Sequence, residues 1–133
     1  MIKAQRSYKS WVRSVVYNLR QYFFLDQWRI ELVWEKTQEK EGLVASINAD
    51  HSYYKATLFI APLFQEWYKN GEKNKCIETL VHEFCHILTD PLYDLAIPAA
   101  TNHTAPHLEA TREQWTQHIA VVILRNLPKY IYQ

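Results

Sequence analysis

The chain has 133 residues, of which 48% are hydrophobic, and a formal net charge of +1. That length suits one domain with a single core, the charge balance gives no reason to expect nucleic acid as a partner, and no apolar run approaches the ~20 residues of a membrane span. With only two glycines and a 14% aromatic share, the chain reads as globular, helix-rich and packed with large rings.

The stretch from Met1 to Ser10 is interrupted by Lys3, Arg6 and Lys9, unlike the apolar core of a secretory signal, so a cytoplasmic location is the default expectation. From Tyr8 to Leu25, the residues Trp11, Val12, Val15, Val16, Leu19, Tyr22 and Phe23 recur at helical spacing. Arg6, Lys9, Arg13 and Arg20 decorate this first helix. Such a basic amphipathic segment reads first as a solvated face, with a membrane surface or an acidic partner as the functional alternative. Three strands are predicted next, at Trp28 to Glu35, Leu43 to Ala49 and Tyr54 to Ala61, rich in β-formers or alternating apolar residues. A charged turn (Lys36 to Gly42) and a tight turn at Asp50-His51-Ser52 separate them. Pro62 to Asn70 reads as a short helix or helical turn, broken at Asn70-Gly71.

Asn74 to Asp90 carries the chemistry, because His82-Glu83-Phe84-Cys85-His86 is an H-E-x-x-H pattern. Residues i and i+4 share one helical face, so both imidazoles can reach one metal ion. Glu83 then sits beside a metal-bound water, placed to take its proton. On a helical wheel Ile77, Leu80, Val81, Phe84, Ile87 and Leu88 share one arc. Thr79, His82, Glu83, His86, Thr89 and Asp90 share the other, so the motif is itself the polar face. A plain surface helix would favour Lys and Glu there. Pro91 is expected to stop the helix. The only cysteines, Cys76 and Cys85, lie on this helix about 13 Å apart along its axis, too far for a disulfide. Cys85 reads as a small core residue rather than a ligand.

A loop from Pro98 to Pro106, carrying His103, leads to a last helix from about His107 to Asn126, with Leu108, Trp115, Ile119, Val122 and Ile123 inward and Pro128 beyond its end. A catalytic zinc needs three protein ligands and one open position. Glu109 and Glu113, one turn apart on this helix, both border the apolar arc. Glu113 is preferred, since Ala120 two turns on leaves room for the histidine helix, and since Glu109 is better explained as first-turn charge opposing the macrodipole. Glu109 stays a rival. His103 and His107 are less suited as ligands, but either could sit near the open position and polarise a substrate carbonyl.

The stretch Thr79 to Leu92 resembles the active-site helix of zincin metallopeptidases. With Glu113 to Ala120 downstream it resembles the gluzincin branch, whose third ligand is a glutamate on a following helix. The order of elements is more closely similar to small proteins classed as metallopeptidases in phage and prophage genomes, which would place it in a host cytoplasm. The resemblance covers roughly Trp28 to Leu127. It departs from metzincins, because no glycine and third histidine follow His86 at their spacing. It implies an α+β, zincin-like minimal metalloprotease domain with an N-terminal helix, a small three-stranded sheet, the motif helix and a glutamate helix. It further implies Zn²⁺ held by His82, His86 and Glu113, Glu83 as general base, and a protein or peptide substrate. An edge strand, either Leu43 to Ala49 or Tyr54 to Ala61, would pair with that substrate. The alternative is a zinc-stabilised, non-catalytic protein-interaction module, which a fourth ligand such as His103 or His107 would signal. A third is a functional surface on the basic N-terminal helix.

Overall fold

In the computed structural model, which describes residues 7–133, helix α1 (Tyr8–Tyr22) opens the chain. The stretch before Ser7, including Lys3 and Arg6, lies outside those residues. Ser7 caps α1, its Oγ accepting from the Ser10 amide at 3.2 Å and satisfying one of the helix's orphan donors. The predicted stripe is the buried one: Trp11, Val12, Val15, Val16 and Leu19 all enter the core.

Strands β1 (Arg29–Trp34), β2 (Ala45–Asp50) and β3 (Lys55–Ile60) form one mixed sheet in the order β1-β3-β2. β2 and β3 make an antiparallel hairpin, and β1 pairs with β3 in parallel. β3 has the cleanest alternation, with Ala56, Leu58 and Ile60 buried, and it takes the centre. This corrects the expectation that Tyr54 to Ala61 could be an edge strand; the edges are β1 and β2.

Helices α2 (Pro62–Lys69) and α3 (Lys73–Ala96) follow, separated by Gly71, whose φ of +81° is a left-handed value that suits glycine. α3 contradicts the predicted stop, for it runs through Pro91. Proline lacks the N–H that would bond the Ile87 carbonyl. That carbonyl instead lies 2.9 Å from His51 Nε2 on the β2–β3 turn, so the orphaned acceptor has a partner and the helix continues. Leu88 is another correction, being 49% exposed rather than inward.

A 3₁₀ turn (Ile97–Ala99) and a loop lead to α4 (Ala105–Arg125), and a 3₁₀ turn (Lys129–Ile131) ends the described chain. α4 packs against α3 through small residues: Thr116 is fully buried, Ala120 nearly so, and Thr116 Oγ1 lies 2.9 Å from Thr89 Oγ1. Presenting that face to α3 turns Trp115 and Val122 outward, contrary to expectation; they are 60% and 50% exposed. The described residues form an α+β fold of four α-helices and a small three-stranded mixed sheet. Among the described residues no helix is long and apolar enough to cross a membrane.

Candidate metal centre

α3 places His82 and His86 one turn apart, their ring centroids 5.0 Å from each other. Across the α3–α4 contact stands Glu113. Its Oε2 lies 3.4 Å from His82 Nε2 and its Oε1 3.5 Å from His86 Nε2. One ligand atom from each of the three residues falls within 4.8 Å of the others. Ala120, two turns on from Glu113, is almost fully buried. Glu109, the rival, faces away: its Oε2 accepts from Tyr93 Oη at 2.5 Å and its Oε1 lies 3.6 Å from Arg112. His103 and His107 are exposed and outside the group.

The other ring nitrogens are occupied. His86 Nδ1 lies 2.9 Å from Asp90 Oδ1, and His82 Nδ1 lies 2.8 Å from Gln117 Oε1. A carboxylate only accepts, so Nδ1 of His86 donates to Asp90, which leaves Nε2 as the nitrogen that faces Glu113 and would ligate a metal ion. Gln117 arranges His82 in the same way. Outer partners of this kind fix the tautomer and orientation of metal-binding imidazoles. Two nitrogens and one carboxylate, pre-oriented and convergent, fit Zn²⁺ by number and type of donor.

Neither outer partner was singled out from the sequence. Asp90 was legible as an i+4 neighbour of His86; Gln117 reaches His82 only through the tertiary packing of α4. Arg112 was missed as well. Its Nε lies 3.6 Å from Asp90 and its Nη2 3.4 Å from Glu113, and its guanidinium covers the Tyr93 ring at 4.5 Å. It thus ties the partner of one histidine to the candidate carboxylate ligand.

Glu83 is half-buried beside this group. Burial pushes its carboxyl up to about 7; Glu113 and Asp90 push the same way, against His86 and a backbone hydrogen bond from Ile47. For His86, burial works to lower the pKa, but the Asp90 bond and the Glu83 and Glu113 charges outweigh it and raise the value. Cys85, one residue from His86, is fully buried and its thiol is pushed up to about 12 by burial, as suits a core residue rather than a thiolate ligand.

The Ile47 contact shows how β2 meets the site. The Ala61 amide donates to Val44 O, so in this antiparallel ladder Ala45, Ile47 and Ala49 turn their backbone groups to the free edge. A cleft of about 670 Å³ opens between that edge, α3 and α4, with Ala45, His82, Glu83 and Gln117 on its walls.

No family model, no curated protein and no solved structure matches this chain.

Replacing Asp90 by asparagine tests the outer partners. Zinc affinity is expected to fall about 10- to 100-fold, the usual effect of losing such a group. An unchanged dissociation constant in a competition titration would show that Asp90 does not orient His86.

Proposed function

We propose that the protein is a zinc-dependent peptidase of the gluzincin-like zincin type, akin to the small metallopeptidases of phage genomes. His82, His86 and Glu113 would hold the ion. The observation that carries this reading is the pairing of both Nε2 atoms with the two oxygens of Glu113 while both Nδ1 atoms are engaged elsewhere. A zinc ion bound there supplies Lewis-acid chemistry, polarising a carbonyl and lowering the pKa of water toward ~7. Glu83 takes the proton of the attacking water on its carboxylate and delivers it to the leaving amine nitrogen.

The substrate is a protein or peptide lying in the cleft between β2 and α4. Ala45 offers it an edge N–H and C=O, whereas Ile47 already gives its N–H to Glu83. A purely stabilising zinc site is usually closed by a fourth protein ligand. Among the described residues the group comprises three, which favours the peptidase over the zinc-stabilised interaction module.

The test is a broad panel of unfolded proteins and peptides incubated with zinc-loaded protein, with new termini read by mass spectrometry. Cleavage is expected, abolished by a chelator and restored by zinc. Absence of any cleavage by protein that holds zinc would overturn the peptidase reading in favour of the interaction module.

A further inference from the structure

The second edge of the sheet lies apart from the metal centre and its chemistry is unspent. The Arg29 amide donates to Tyr54 O and the Glu35 amide to Ile60 O. In the parallel ladder of β1 with β3, Arg29, Glu31, Val33 and Glu35 therefore face β3. Ile30, Leu32 and Trp34 turn their N–H and C=O groups to the open edge. Among the described residues nothing is hydrogen-bonded to them there. Edge strands are commonly shielded by a bulge, a proline or a covering element; β1 contains no proline.

α1 overhangs this edge. Between them lies a groove of about 370 Å³, floored by the side chains of Ile30, Leu32 and Trp34 and roofed by Val16 and Tyr17. Arg13 and Arg20 line it as well. α1 has no acidic residue along its length, and among the described residues neither arginine forms an ion pair. Arg13 rests its guanidinium on the Trp34 ring at 5.8 Å; Arg20 covers Tyr17 at 5.8 Å and donates to Trp28 O at 3.3 Å. Arg20 Nε is buried without a hydrogen-bond partner. Such a donor is costly to leave unmet.

We infer that this groove binds an extended acidic segment of a partner protein, which adds to β1 as a further strand. The open amides and carbonyls of Ile30, Leu32 and Trp34 would supply the ladder, and alternate apolar side chains would enter beneath α1 against Val16. Carboxylates flanking them would meet Arg13 and Arg20, giving the bidentate, charge-assisted pairs that arginine favours. The residues before Ser7 suit this place poorly by charge, since they include Lys3 and Arg6 and no acid.

The experiment uses the full chain, with backbone amides assigned by NMR, and a capped hexapeptide alternating glutamate with valine or leucine. In the free protein the amides of Ile30, Leu32 and Trp34 are expected to exchange rapidly with solvent. Adding the peptide should shift those resonances and slow their exchange. Binding should weaken with rising salt, and at least 10-fold in Arg13→Glu, an exposed position whose change leaves the core untouched. Arg20→Gln should weaken it too, and a lysine-for-glutamate peptide should not bind. Slow exchange of these amides in the free protein would overturn the inference, because the edge would already be covered. So would equal binding of the lysine peptide or unaltered affinity in Arg13→Glu. Tighter binding of a single-stranded oligonucleotide or of anionic vesicles at the same residues would assign the surface to another class of partner and overturn it as well.

Discussion

Glu83→Gln is expected to retain zinc and fold while losing hydrolysis by about 10²- to 10⁴-fold, the usual span for a general base. The amide keeps the size of the side chain and can still accept the Ile47 hydrogen bond, but it cannot take a proton from water. The same substitution should stabilise the metal-free protein at neutral pH. Glu83 titrates from an ordinary value of 4.5 up to about 7 in the fold, so the folded state holds the proton more tightly than the unfolded one. Its contribution is therefore fully present below pH 4.5 and lost as pH rises through about 7. Relative to Glu83→Gln, the chelated wild type should lose up to about 3 kcal/mol across that window, at ~1.4 kcal/mol per pH unit. Thermal melts of both proteins from acid to mildly alkaline pH measure this directly. Equal melting points at every pH would mean that burial does not act on Glu83 as described. Loss of zinc by the variant would make Glu83 a ligand or a prop for one, and the catalytic role would go.

The second large effect separates the two glutamates of α4. Glu113→Ala removes one of three convergent ligands and should lower zinc affinity by more than the ~10–100-fold typical of an outer partner. Glu109→Ala should leave affinity near that of the wild type, because its carboxylate contacts Tyr93 and Arg112 rather than the histidines. Competition with a chromophoric chelator reads both constants. The reverse ranking would move the ligand role to Glu109 and require α4 to sit one turn from its present register.

The motif helix was legible because its chemistry is local. The i, i+4 histidines, the apolar arc of Leu80, Val81 and Phe84, and the burial of Cys85 all follow from helical period alone. The three strands were legible for the same reason, since alternation marks a half-buried strand. Their order was not, because alternation says which face is buried and nothing about which strand lies between the others. Continuation of α3 past Pro91 was beyond sequence reasoning for a different cause. The carbonyl that proline orphans is met by His51, thirty-six residues earlier in the chain. On α4 the wheel pointed Trp115 inward by its apolar character, yet the helix packs through Thr116 and Ala120. Small residues that permit close approach outweighed the large ring. Ala120 lies on that same buried face, so the contact that turns Trp115 outward also brings the Glu113 carboxylate to the histidines. Gln117 belongs to the same contact and became visible only with it.

X-ray absorption at the zinc edge of protein purified without chelator reads the metal and its ligands directly. One zinc per chain is expected, with nitrogen and oxygen neighbours only, at about 2.0–2.2 Å, including the outer-ring scattering of two imidazoles. Absence of zinc, or sulfur scattering at about 2.3 Å from Cys76 or Cys85, would contradict it.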